Sequence, residues 1–206
     1  MFVTTSHGVS GKELQRALGV TYKTAWRMGQ QIRVLMAKAD GFVELQGHVE
    51  IDEAYIGGYR AGGGPGKGKN KTIVLGIVER GGRTVAKAVP NLRGDTVRPF
   101  VYKNIKAGSA VSTDESAIYD LLKSAGYDHK AVNHSKYEWR KFNYRRDEYH
   151  HTNSVEGFWR LFKNSIRSTH IHVSEKYMDR YLGEFTFRSN HRQMTNAMFD
   201  LLISAV

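Results

Sequence analysis

The chain has 206 residues, no cysteine, and 31 Lys and Arg against 20 Asp and Glu, a formal charge of +11. Without cysteine there are no disulfides and no thiolate zinc sites, and no run approaches the roughly 18 apolar residues of a membrane span. The positive excess favours a polyanionic partner, either nucleic acid or an acidic membrane face. Hydrophobic residues at 40% and aromatics at 11% suffice for a core, and the length fits one medium domain plus a small one. Met1 to Ser10 has no apolar signal core, so a cytoplasmic protein is expected.

Residues 10–38 read as two helices. Ser10 caps the first, with Glu13 at the capping-box spacing and Leu14, Ala17 and Leu18 on its apolar face. Gly19 breaks it. The second starts at Thr21 or Tyr22 and spaces Ala25, Met28, Ile32 and Leu35 helically. Helix, short glycine turn, helix is the helix-turn-helix pattern, whose second helix would offer Tyr22, Lys23, Arg27 and Gln31 to DNA. An ordinary helical hairpin fits the pattern equally well.

After a linker at 40–47, strand signals occupy 48–56, 72–79 and 83–89, with Gly81-Gly82 as a hairpin turn. In the first strand, alternation puts Glu50 and Asp52 on one face and Glu53 on the other. The glycine-rich run from Gly57 to Lys71 matches no P-loop or dinucleotide motif. With Lys67, Lys69 and Lys71 it reads as a basic loop that orders on a phosphate backbone, or as a plain hairpin loop. Residues 94–106 space Val97, Phe100, Val101 and Ile105 as a helix, in which Pro99 is tolerable only near the first turn. A strand at 110–113 ends at Asp114, a helix follows at 116–125, and a short strand at 130–133.

Between Lys136 and Arg146, aromatics interleave with base. Arg140, Lys141, Arg145 and Arg146 suit phosphates, the rings suit base stacking, and Trp139 suits the core. His150-His151 and His170-Ile171-His172 lack a His-Glu-x-x-His zinc pattern, and His150 or His151 is better placed to touch DNA. Helices are expected at 152–168 and 174–190, with Phe158, Leu161 and Phe162 as core. This element order predicts an α/β fold: an RNase H-like mixed sheet with helices on both faces. A helix-turn-helix segment (1–45) would precede a catalytic domain (46–206).

Three acids sit in settings that suit a divalent-metal site for phosphoryl transfer. Asp52 and Asp114 lie in strands that can be neighbours, and Glu156 lies in a late helix. Carboxylates brought together this way hold Mg²⁺ or Mn²⁺ beside a phosphate. Asn153 and Lys163 share the helical face of Glu156, one suited to a metal or DNA and the other to a phosphate. For each acid alone, a solvated surface group or helix cap is the simpler reading.

The stretches Val49-Glu50-Ile51-Asp52-Glu53-Ala54-Tyr55-Ile56-Gly57-Gly58, Ser112-Thr113-Asp114, His151-Thr152-Asn153-Ser154-Val155-Glu156-Gly157-Phe158-Trp159 and Arg188-Ser189-Asn190-His191-Arg192 resemble, in that order, the DDE transposases of the ISXO2-like group. The resemblance implies an RNase H-like fold, Mg²⁺ dependence and cut-and-join chemistry at transposon ends. It carries Asp52 and Asp114 over as metal ligands. The group's third position is asparagine or glutamate, so Asn153 and Glu156 both stand for it. Lys163 falls at the group's basic position. Such transposases often begin with a cysteine zinc ribbon, which a chain without cysteine lacks. A shortened copy would keep the catalytic site and bind ends less well.

The expected function is therefore a DNA transposase acting on double-stranded ends and target as a homo-oligomer, in the cytoplasm at the nucleoid and away from membranes. A nuclease or junction resolvase of the same fold, and a DNA-binding regulator without catalysis, are the alternatives.

Overall fold

The computed structural model describes residues 1–57, 71–132, 140–143, 147–194 and 197–206. The chain divides into two compact units, a sheet unit of Val43–Ile56 with Ile73–Trp159 and a helical unit that includes Met1–Phe42 and Arg160–Val206.

In the sheet unit, β1 (His48–Ile56), β2 (Thr72–Glu79), β3 (Thr84–Val89), β4 (Ala110–Asp114) and β5 (Asp128–Val132) form one sheet in the order β3-β2-β1-β4-β5. β2 and β3 are an antiparallel hairpin, closed by Gly81 at φ 69°, where a side chain would be strained. β4 runs parallel to β1, and β5 parallel to β4. Parallel neighbours need crossovers. Helix α3 (Gly94–Asn104) leads into β4, and a 3₁₀ segment (Ala117–Ser124) leads into β5. That segment takes the place of the α-helix expected at 116–125. The mixed sheet with flanking helices is the RNase H-like arrangement.

Alternation sorts the strands' side chains by face. Val49, Ile51, Leu75, Ile77 and Val111 form one core with Val97, Val101 and Ile105, and with Tyr119 and Leu122 of the 3₁₀ segment. Val74, Gly76 and Val78 alternate to the other face. There Trp159 of α4 (Asn153–Ser165) packs so closely that a Cβ on Gly76 would run into its indole ring. Pro99 is not in the first turn of α3 but six residues in. It removes one N–H, to the Asp95 carbonyl. Burial of Val97 and Val101, both fully buried, keeps the helix intact around it. A hairpin of β6 (Lys141–Asn143) and β7 (Glu148–His150), with Phe142 and Tyr149 edge-to-face, lies in the polar, aromatic and basic stretch where no strand was expected.

In the helical unit, α1 (Gly11–Leu18) and α2 (Tyr22–Asp40) form as the caps predict. Ser10 Oγ accepts from Glu13 N at 3.1 Å, Gly19 takes the left-handed conformation, and Thr21 Oγ1 accepts from Thr24 N. The face of α2 that packs takes in the expected Ala25, Ile32 and Leu35 but not Met28. Ala25, Gly29, Gln30, Arg33 and Met36 are buried, while Met28 is 41% exposed. Polar pairs along α5 (Glu175–Asn190) decide this seam. Arg33 Nε donates to Glu184 Oε2 at 2.6 Å and its NH2 to the Val9 carbonyl at 2.8 Å, and Gln30 donates to Tyr181. Phe2, Val9, Leu14, Ala25, Met36 and Phe187 form the core with Met198 and Leu202 of α6 (Ala197–Ile203), a helix the sequence pattern did not reveal. Among the described residues no helix is long and apolar enough to cross a membrane.

The Gly76–Trp159 contact leaves no room for a methyl group. Gly76→Ala is expected to lower stability by about 1–3 kcal/mol, as overpacking does. Urea unfolding measures it, and an unchanged midpoint contradicts the close approach.

Candidate functional site

β1 and β4 pair with His48 opposite Ala110, Val49 opposite Val111 and Glu50 opposite Ser112. Continuing that register by two residues sets Asp52 beside Asp114 on one face. One carboxylate oxygen each from Asp52, Glu53 and Asp114 lies within 4.8 Å of the others. Glu53 belongs to the opposite face by alternation, and the buried Tyr119 hydroxyl on that side donates to its Oε2 at 2.8 Å. Its longer side chain still brings an oxygen to the two aspartates at the strand end.

This crowding is visible in the electrostatics. Asp52 is raised from its ordinary 3.8 to about 7. Burial is the main cause, and the charges of Glu53, Asp114 and Glu156 add to it, against a lowering backbone hydrogen bond at Glu53. Tyr119 is raised well above 10 by burial and by Glu53, so it remains a proton donor to that carboxylate.

The first turns of α4 carry the other expected residues. Asn153 and Glu156 are both exposed, and Thr152 Oγ1 donates to Glu156 Oε1 at 2.7 Å. Glu156 is felt electrostatically by Asp52, yet the tight oxygen cluster is made by Asp52, Glu53 and Asp114. Lys163 is half-buried, two turns further along the helix, where the chain has entered the helical unit. Phe158 and Phe162 are buried as expected, but Leu161 is 53% exposed. It falls on the solvent side with Arg160 and Asn164.

Glu50, on the Asp52 face of β1, is fully buried. It accepts from Ser154 N, Val155 N, Ser154 Oγ and Arg80 Nε at 2.7, 3.1, 3.0 and 2.7 Å. His151 Nδ1 lies 3.0 Å from it. The imidazole of His151 is held below its ordinary value, chiefly by burial, with Glu50 opposing and Arg80 assisting. His150 does not reach outward to DNA. It is fully buried, with Nδ1 2.8 Å from Ser112 Oγ and Nε2 3.0 Å from Asn143 Nδ2.

Of the residues expected at DNA, Tyr22, Lys23, Arg27 and Gln31 are exposed on α2. Arg140 stacks over Tyr149 with 4.4 Å to the ring centroid, Lys141 is exposed, and Lys71 is half-buried. Lys67, Lys69, Arg145 and Arg146 lie outside the described residues, as does Trp139. Glu53, Tyr119 and Arg80 escaped the sequence reading. The Asp52-Glu53 doublet at a strand end was a signal for the first, since both residues there reach the sheet rim. Arg80 gave none, because its partner Glu50 is 30 residues away.

Residues 44–190 match the model of a known family, the ISXO2-like transposase domain. The match takes in Asp52, Glu53, Asp114, Asn153, Glu156 and Lys163, and leaves α1 and α2 outside it. Comparison with curated proteins finds no match.

The raised Asp52 gives a signed pH dependence. Between about 4 and about 7, the folded metal-free protein keeps a proton that the unfolded chain has released. Stability therefore falls as pH rises through that window and levels off above it. Melting temperatures in EDTA from pH 5 to 8 are expected to fall more steeply in the parent than in Asp52→Asn. Equal slopes would show that Asp52 does not carry this proton.

Proposed function

This chain belongs to the ISXO2-like transposase family, and from that premise we propose that it cuts DNA at insertion-sequence ends and joins the cut strands to a target. The observation that carries the reading is the meeting of Asp52, Glu53 and Asp114 oxygens at one sheet end, in a chain of charge +11. An all-oxygen donor set suits a hard divalent cation such as Mg²⁺ or Mn²⁺. Such a cation offsets the burial and, after it, the mutual repulsion that raise Asp52.

In this reading Asp52 and Asp114 hold the cation, with Glu156 or Asn153 as the third position. Bound there, the cation polarises a phosphoryl oxygen and makes a nucleophile of water or hydroxyl near neutral pH. Asn153 positions the strand and Lys163 meets a phosphate. In cleavage, water attacks phosphorus at the element end, and the bond to the 3′ oxygen breaks. In transfer, the freed 3′ hydroxyl attacks a target phosphodiester, whose own 3′ oxygen leaves.

The remaining parts serve grip. Residues 1–45 act as the DNA-binding segment through Tyr22, Lys23 and Arg27 on the exposed side of α2, and residues 46–206 carry the chemistry. Lys67, Lys69, Lys71, Arg140, Lys141, Arg145 and Arg146 follow phosphates, a salt-sensitive contact. Joining two ends calls for a homo-oligomer, working on cytoplasmic, nucleoid DNA.

On end DNA with Mn²⁺, Asp52→Ala and Asp114→Ala are each expected to slow strand cleavage by ~10²–10³-fold, the order lost with one group that stabilises transition-state charge. Asp52→Ala as active as the parent would overturn the assignment. Strand-transfer products separate a transposase from a nuclease or junction resolvase, and salt-dependent binding without cleavage would identify a regulator. Arg27→Ala is expected to weaken DNA binding and reduce its salt slope by about 1, read by fluorescence anisotropy over a salt series.

A further inference from the structure

A helix leaves its first N–H groups without intrahelical partners, and a carboxylate there also meets the positive end of the dipole. In α4 the N–H groups of Ser154 and Val155 go to Glu50 Oε2, from a strand more than 100 residues earlier. Ser154 Oγ and Arg80 Nε occupy Oε1. Arg80 is held in turn from several sides. Its NH1 donates to the Tyr149 carbonyl and meets His48 Nδ1 at 3.1 Å, and its NH2 donates to the His151 carbonyl at 3.1 Å. The same guanidinium thus fixes both Glu50 and the chain entering α4.

Position gives this knot its consequence. Glu50 is one alternation from Asp52 on the same face of β1. On the helix side, Asn153 directly precedes Ser154, and Glu156 directly follows Val155. We propose that Glu50 and Arg80 are positioning residues. They latch the first turn of α4 to β1 and so set Asn153 and Glu156 against the Asp52–Asp114 pair. The proposal rests on the transposase reading of that pair. Groups that orient metal ligands typically contribute 10–100-fold in metal affinity, and both members of this latch are held by several hydrogen bonds, with Glu50 fully buried.

The test is Mn²⁺ binding by the full chain, read as free Mn²⁺ by electron paramagnetic resonance. Glu50→Gln and Arg80→Lys are each made alone and combined with the pair Asn153→Ala/Glu156→Gln. Alone, each is expected to weaken Mn²⁺ binding by about tenfold. In the Asn153→Ala/Glu156→Gln background, the further loss is expected to stay within about twofold, because the latch acts through that helix turn. Full additive losses in both backgrounds, or no loss in either, overturn the proposal. Arg80→Lys keeps the positive charge and leaves Glu50 on the helix N–H groups, so it decides the matter if Glu50→Gln does not fold. Asp52→Asn separates the two levels. If the parent binds Mn²⁺ no better than Asp52→Asn, the reading of the acidic pair fails and the latch falls with it. If Asp52→Asn loses binding while the latch variants do not couple to the Asn153 and Glu156 pair, the latch alone is overturned.

Discussion

Parallel pairing of β1 with β4 forces two carboxylates together that would separate if free. The register is set by side chains on the opposite face, where Val49, Ile51 and Val111 are fully buried in one core. A slip of one residue would turn Asp52 to that apolar face and turn Val49 and Ile51 away from it. Hydrophobic burial therefore holds the two carboxylates together, and Asp52 is raised first by its own burial and then by the neighbouring charges. In the proposed reading, such a sheet holds the carboxylates together at the place where a cation would bind.

Among the described residues, the fully buried carboxylates Glu50 and Glu184 have their charge answered by close partners. Glu50 is satisfied by two backbone N–H groups, a hydroxyl and a guanidinium. Glu184 lies between Arg33 and Arg188. Such pairs add little net stability, because desolvation offsets much of their attraction, but breaking one leaves a buried charge exposed to its cost. Their effect is to fix which parts meet: α4 with β1 through Glu50, and α2 with α5 through Glu184. Asp52, Glu53 and Asp114 instead face one another.

Much of this was legible in the residues. Period-two runs located β1 to β4 nearly to the residue, and the caps at Ser10, Gly19 and Thr21 located α1 and the start of α2. The order of elements then led to the RNase H-like sheet, and with it to the approach of Asp52 and Asp114. What stayed hidden was decided by distant partners. The packed face of α2 follows Arg33 and Gln30, whose partners Glu184 and Tyr181 are 151 residues away. Counting apolar positions found Ala25, Ile32 and Leu35 on the packed side but wrongly added Met28. Pro99 sits deeper in α3 than local rules favour, because tertiary burial outweighs one missing hydrogen bond. The β6–β7 hairpin is two strands of three residues, too short for alternation to register. Glu53 was assigned by alternation alone, which does not limit a long side chain at the rim of a sheet.

The meeting of Asp52 and Asp114 at a cation is the claim on which the rest turns. Crystals soaked in Mn²⁺ and measured at the manganese absorption edge test it directly. An anomalous peak within coordination distance, about 2.0–2.6 Å, of both Asp52 and Asp114 is the expected result. Crystals whose only manganese peaks lie away from these two carboxylates would contradict it.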